Sequence, residues 1–298
     1  MALTTELAAA VRRQGAIPST VLDADIFLEG DLAIQTEFIP LLESLRQNYF
    51  VRELTATPDA RGRVPLPARA VGAGLRSVHL AVGNGWIPLP QRDLADVDYL
   101  SSGPSPSGFA LDGGSMVLLP TGVSGTVRLR YSARPGRMCS ATDLALAAPI
   151  ATVTVGATTT TLTTTGVFTG GTVVDVVSAG PAHQQKAINT TRAGLVLSNA
   201  DLTEAPAAGD YLAVADRSPF VPLPEELFGA LAHKVATNLL LSAGYLEEAA
   251  AQRDAADRAV ALARNYLMPR IEGNPKTVSG GLRQSLGRSA VAMRSRWW

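Results

Sequence analysis

Three histidines, one cysteine and a scatter of acids are the residues that could do acid–base, nucleophilic or metal chemistry here. His79, His183 and His233 stand far apart, and none has a second ligand at metal spacing, so neither a zinc site nor a histidine base is expected. The single Cys139 excludes an internal disulfide and any multi-cysteine metal site. Asp23-Ala24-Asp25-Ile26-Phe27-Leu28 opens like a calcium loop. It then puts Phe27 and Leu28 where an oxygen ligand and a glycine are needed. Gly72-Ala73-Gly74 has a strand-forming stretch after it rather than before it and lacks a third glycine, so it reads as a turn. Neither a Gly-Lys-Thr phosphate loop nor a Gly-x-Ser-x-Gly elbow is present. Asp93, Asp96 and Asp98 cluster in a polar loop and read as solvated surface. A glycosidase would need two carboxylates facing across a cleft. Asp175 and Asp210 are candidates, yet nothing in the sequence pairs them. No catalytic residue, metal or cofactor is assigned.

The positive signal lies at the end of the chain. From Met268 to Trp298 the cations Arg270, Lys276, Arg283, Arg288, Arg294 and Arg296 face the single acid Glu272, and the chain ends on Trp297-Trp298. Apolar periodicity is nearly absent. A segment that cannot build its own core but carries cations and an aromatic anchor is suited to being ordered by a partner. Two exposed tryptophans would otherwise promote aggregation.

Composition narrows the class. Hydrophobic residues make up 46% of the 298 and charged residues 17%, as in a folded protein. Lys+Arg and Asp+Glu are both 26, so the basic tail is a local asymmetry and not a global pull toward nucleic acid. No apolar run reaches membrane-spanning length, and Met1-Ala2-Leu3-Thr4-Thr5-Glu6 does not open a signal peptide. The expected place of synthesis is the cytoplasm.

Four zones position these residues. Residues 1–50 predict helices. Leu3, Leu7, Ala10 and Val11 share a stripe that Gly15 and Pro18 stop. A second helix is expected at Ser19–Leu28, capped by Ser19 or Thr20, and a third from about Asp31 to Asn48, started or kinked by Pro40. Residues 51–218 predict an all-β unit, a small sandwich or barrel. Its strands are expected at Val51–Thr57, Leu75–Val82, Ser115–Leu119, Thr126–Tyr131, Ala151–Val155, Thr158–Thr164, Val173–Val177, Gly194–Leu197 and Tyr211–Ala215. Within Thr126–Tyr131, Val127, Leu129 and Tyr131 alternate against Thr126, Arg128 and Arg130. The Thr-rich run reads as an exposed or edge strand, able to pair with another copy. Residues 219–268 return to helix. Pro224 with Glu225 and Glu226 marks a helix start, and Leu227, Leu231, Val235 and Leu239 repeat every four residues. Gly244 divides this helix from Tyr245–Leu267, whose Ala249, Ala256, Ala259 and Ala263 permit close approach. Residues 269–298 form the extended tail. The fold class expected is α+β: a helical bundle from both chain ends, with the β unit inserted between them.

Several segments in order resemble a known family. These are Tyr49-Phe50-Val51, then Val64-Pro65-Leu66-Pro67-Ala68-Arg69-Ala70-Val71-Gly72, then Leu75-Arg76-Ser77-Val78. Pro106-Ser107-Gly108-Phe109, Met116-Val117-Leu118-Leu119-Pro120, Leu129-Arg130-Tyr131-Ser132-Ala133-Arg134-Pro135, Gly209-Asp210-Tyr211-Leu212 and Leu223-Pro224-Glu225-Glu226-Leu227 follow. Over about residues 20–265 the order is similar to the head-to-tail adaptor (connector) proteins of tailed bacteriophages. The resemblance implies a structural protein without catalysis, placed in the virion neck. It implies a ring of commonly twelve copies that joins the portal to the tail and continues the DNA channel. Its partners would be copies of itself, the portal, tail, nozzle or tail-fibre proteins, and packaged DNA in passing. Arg283, Arg288, Arg294, Arg296, Trp297 and Trp298 would contact the portal, and the two C-terminal helices would pack the ring. From the residues themselves, Pro67 stiffens a loop entry, and Arg69 can reach a carboxylate or backbone carbonyls.

Two other classes stand beside this one. A nucleic-acid-binding module would use the basic tail on phosphates, although aromatic residues are not interleaved with the cations as stacking platforms would be. A carbohydrate-active enzyme would need the missing carboxylate pair.

Overall fold

The computed structural model describes residues 2–18, 20–45, 49–67, 69–93, 106–120, 125–168, 171–178, 185–191, 196–199, 202 and 204–267. Helix α1 (Thr4–Gly15) buries Leu7, Ala8 and Val11 and places Arg12 and Arg13 in its last turn, where cations suit the dipole. Helix α2 (Asp23–Ala33), a π-helical turn (Ile34–Phe38) and α3 (Ile39–Leu45) then run on as one helical stretch. The break expected near residues 28–31 is absent. Gly30 sits inside α2 because α2 packs closely there: a Cβ would meet Met138 Cε and lie 3.6 Å from Leu7 and 3.7 Å from Val235 side-chain atoms. Pro40 accounts for the π turn. It has no N–H to donate and its ring crowds the carbonyl four residues back, and a widened turn just before it relieves both. The N-cap of α2 is Leu22, with no side-chain cap. Arg12 ties this end of α2 to α1 by pairing with Asp23 and donating to the Val21 carbonyl at 2.9 Å.

Fifteen strands follow among the described residues. They are β1 (Val51–Ala56), β2 (Arg63–Pro65), β3 (Ala70–Val82), β4 (Gly85–Leu89), β5 (Gly108–Asp112), β6 (Ser115–Leu119), β7 (Val127–Ala133), β8 (Arg137–Met138), β9 (Ala147–Val155), β10 (Thr159–Thr164), β11 (Val173–Val177), β12 (Gln185–Thr191), β13 (Val196–Ser198), β14 (Tyr211–Val214) and β15 (Arg217–Ser218). They make sheets ordered β1-β7-β3-β4, β2-β6-β5 and β12-β11-β14-β9-β10-β13, with β15 and β8 as a short parallel pair. Strand β7 is central, paired with β1 and β3, and alternates over its first five residues: Val127, Leu129 and Tyr131 are buried, and Arg130 is exposed and paired with Glu53 of β1. The Gly72-Ala73-Gly74 segment is not the turn expected. It lies within β3, where the pairing with β7 slips between Ala70 and Ser77, so the glycines serve a bulge.

The Thr-rich run is β10, antiparallel to β9 on one side. Its other side is covered by β13 only along Thr159–Thr161. Thr160 and Leu162 point into the core, while Thr159, Thr161 and Thr163 are exposed.

The chain returns to helix with α4 (Glu225–Ser242) and α5 (Leu246–Leu267), divided by Gly244 at φ +85°. Residues of α1, α2 and α3 share one apolar cluster with α4 and α5, including Leu7, Val11, Ile26, Phe38, Leu42, Leu227, Leu231 and Val235. Polar ties cross the same seam. Gln252 Nε2 donates to the Gln14 carbonyl at 2.7 Å, Lys234 pairs with Glu37 at 2.7 Å, and Thr4 N–H donates to the Pro219 carbonyl at 2.9 Å. A second cluster lies between the β1-β7-β3-β4 and β2-β6-β5 sheets, around Met116, Leu118, Val127 and Leu129. A third is built on the six-stranded sheet from Ile150, Leu162, Val174, Val176, Leu197 and Leu212. The fold is therefore α+β, with its helical and β cores separate.

Candidate functional site

The two acids that could have served a glycosidase are each already held by a cation. Asp175, fully buried on β11, takes Arg69 Nη1 at 2.5 Å and the Asp216 N–H at 3.2 Å. Asp210, buried just before β14, takes Lys186 Nζ at 2.9 Å and the Ala207 N–H at 2.7 Å. The geometry gives structural work to both.

Arg69 is the centre of that work. Its side chain is 5% exposed. Besides Asp175, its Nε reaches the Arg134 carbonyl at 3.0 Å and Asp216 Oδ1 at 3.1 Å, and its own carbonyl accepts the Arg134 N–H at 2.6 Å. One guanidinium thus joins the start of β3, the link from β7 to β8, strand β11 and the β14–β15 turn. Five donors in a fixed fork suit arginine to such a junction. Asp216 occupies the turn at φ +64°, a left-handed conformation that aspartate tolerates better than most residues. Arg134, Arg137 and Arg217 line an open groove of about 290 Å³ beside it.

The two described histidines lie apart, one on α4 and one on β3. His233 Nδ1 lies 2.7 Å from Gln252 Oε1 and links α4 to α5. His79 on β3 has its pKa lowered by burial and by the neighbouring Arg128 and Arg130. His183, Asp96 and Asp98 lie outside the described residues, and Asp93 is at their edge. The Asp23–Leu28 segment forms the opening turns of α2 and not a loop. Among the described residues no group of three His, Cys, Asp or Glu could hold a metal ion, and no helix is long and apolar enough to cross a membrane.

Leu227, Leu231 and Val235 are fully buried and Leu239 partly so. Ala249, Ala256 and Ala263 are buried and Ala259 half-buried. Most of these residues belong to the protomer's own core, so any part they take in a ring comes through the shape of the α4–α5 pair. The outward face of α5 carries Leu262 and Tyr266 instead, and the α4–α5 turn carries Leu241, Tyr245 and Leu246, all half exposed or more. Helix α2 exposes Leu22, Leu28 and Leu32. The tail cations and Trp297-Trp298 lie outside the described residues.

Beside Leu28 opens a cavity of about 500 Å³ between α2 and β8, lined by Phe27, Asp31, Met138, Leu146 and Arg217 among others. Asp31 accepts the Met138 N–H at 3.0 and 3.2 Å on its two oxygens. Burial pushes its carboxyl up to about 6, against the pull of that N–H and of Arg137 and Arg217. Cys139 in the same wall is buried, and burial pushes its thiol up to about 12, so it is unreactive.

The sequence pointed to Arg69 as a ligand of carboxylates but not to Asp175 as its partner. It missed the cavity, whose walls come from segments more than 100 residues apart. Leu262 and Tyr266 could have been found: they are four apart and lie off the alanine stripe.

No curated protein matches the chain. A profile of the SU10 adaptor protein family matches residues 5–163, more than half of the 298, from α1 through most of β10. With that span matched, the chain belongs to the SU10 adaptor protein family, a family of bacteriophage structural adaptors.

Proposed function

We propose that this adaptor is a head-to-tail connector: a ring, of twelve copies, that joins the portal to the tail and continues the DNA channel through the neck of the virion. The observation that carries this is the SU10 adaptor match over residues 5–163. On this reading α1–α5 act as one bundle drawn from residues 1–50 and 219–268. Residues 51–218 are the inserted β unit, turned outward or toward tail, nozzle or tail-fibre proteins. Residues 269–298 reach into the portal, with Arg283, Arg288, Arg294 and Arg296 on acidic or carbonyl groups and Trp297 and Trp298 as anchors. A ring needs a heterologous contact that closes by rotation. Repetition then multiplies a modest contact into a lasting joint. A tail ordered only on contact makes joining sequential, because its binding energy is realised only once a portal ring is present.

The test is deletion of residues 268–298. The last residue of the helical core is Leu267, fully buried, so the shortened chain is expected to fold with an unchanged melting curve. It should no longer co-sediment with purified portal rings. Unchanged affinity for portal rings would remove the tail from the account. A DNA affinity of the intact protein that falls steeply with salt would favour the nucleic-acid reading instead.

A further inference from the structure

Helices α1 and α4 pack against each other, and each touches both α2 and α5, which make no comparable contact with one another. The α1–α4 pair therefore separates α2 from α5, and their outer faces lie on opposite flanks of the protomer. Each outer face leaves large apolar side chains exposed among its polar residues. On α2, Leu28 is 59% and Leu32 47% exposed, at a four-residue spacing that puts them on one stripe. On α5, Leu262 is 61% and Tyr266 70% exposed, again four apart. The stripes differ in shape. Leu28 borders the open cavity of about 500 Å³ whose walls include Phe27, Met138 and Leu146. The α5 stripe borders no such cavity among the described residues and ends in the largely exposed ring of Tyr266. They differ in charge as well. Three residues before Leu28 stands exposed Asp25, and four before Leu262 stands exposed Arg258. With the helices side by side and parallel, the acid and the cation lead the two stripes and coincide.

We propose that the α2 face of one copy is the seat of α5 of the next copy. Leu262 and Tyr266 of the neighbouring copy lie on Leu28 and Leu32 and fill the cavity between α2 and β8, and Arg258 stands opposite Asp25. The hydroxyl of Tyr266 enters a cavity whose wall holds Asp31 and Arg217, so a buried tyrosine there has polar partners, as its O–H requires. A second copy fits better than an unrelated protein because one chain carries both halves, with opposite charge, on opposite flanks. That is the arrangement a heterologous, ring-closing contact needs. This inference rests on the ring reading above and names the faces that close the ring.

Two experiments test it. In a Cys139→Ser background, a tagged Leu28→Cys copy is mixed with an untagged Leu262→Cys copy and assembled on portal rings under mild oxidation. Disulfide-linked pairs should join tagged to untagged copies, and neither variant should link to itself. Closed rings that yield no such pair, or only like-to-like pairs, overturn the inference and leave the ring standing. A wild-type protein that never associates with itself, alone or on portal rings, overturns both. In the second experiment, Asp25→Arg alone should weaken self-association at least tenfold, while the melting temperature of the protomer falls only slightly, as the loss of a first-turn acid from α2 requires. Adding Arg258→Asp to that variant should restore most of the loss. Absence of rescue counts against the Asp25–Arg258 pairing and with it the parallel seating.

Discussion

At the scale of the residue, buried charge explains more than any catalytic constellation. Asp175 is fully buried and depends on Arg69. Removing one partner of such a pair leaves an uncompensated charge, at a cost of about 3–5 kcal/mol. Arg69→Ala should therefore lower the urea midpoint strongly. Arg69→Lys should not rescue it, since an ammonium cannot span Asp175, Asp216 and the Arg134 carbonyl at once. The double change Arg69→Met with Asp175→Leu should be milder than Arg69→Ala alone. Asp31 supplies a pH test. Its carboxyl is raised from 3.8 to about 6, so the folded state holds this proton more tightly than the unfolded chain. The stability it contributes is present in full below the unfolded pKa and is lost as pH rises through about 6. Asp31→Asn, whose amide oxygen can still accept the Met138 N–H, should raise the melting temperature at pH 7.5 and flatten its dependence between pH 4 and 6. A variant with the wild-type pH profile would show that Asp31 is not the group responsible. The reach of Arg69 was legible from its type and the stiff Pro67 before it. Its partner was not, because Asp175 lies 106 residues away and a single sequence does not report such pairings.

At the scale of the element, what the sequence made legible was periodicity. Helices α4 and α5, the division at Gly244 and the alternation of β7 all follow from spacing that one face of the core enforces. Strands β4, β5 and β12 were not expected. Gly85 and Pro88 break the β4 pattern, β5 is short and opens on Gly108, and β12 is mostly polar and buries Lys186. Tertiary pairing holds such segments against weak local preference. Helix was expected to end at Leu28 and restart near Asp31, yet α2 runs through Gly30, whose lack of a side chain serves packing. Two glycine substitutions separate these roles. At Gly15 an added Cβ would lie 2.8 Å from Ala236 Cβ, a stub that cannot swing away, so α1 and α4 must part. Gly15→Ala should cost about 1–3 kcal/mol, the usual range for overpacking. At Gly30 the obstacle is the flexible end of Met138, and the added helix propensity offsets part of the strain. Gly30→Ala should cost less than about 1 kcal/mol. Denaturant titration of the two variants checks the order, and a larger loss at Gly30 would contradict the packing described for α2.

At the scale of the whole molecule, the α+β class was legible because runs of helix pattern flank a long run of strand pattern. The division of the β segment into separate apolar clusters was not, since nothing in local composition marks where one sheet stack ends and the next begins. The Arg69 junction ties the start of β3 and the β7–β8 link to β11 and the β14–β15 turn. The helical residues expected to pack a ring are largely spent on the protomer's own core, which leaves the outer faces of α2 and α5 for neighbours. The central claim is that this chain works by association, as a closed ring on the portal. The most direct measurement is the mass and electron-microscopic image of purified protein mixed with portal rings. The account predicts closed rings of twelve copies seated on one face of the portal. Single copies on the portal, or no binding at all, would contradict it.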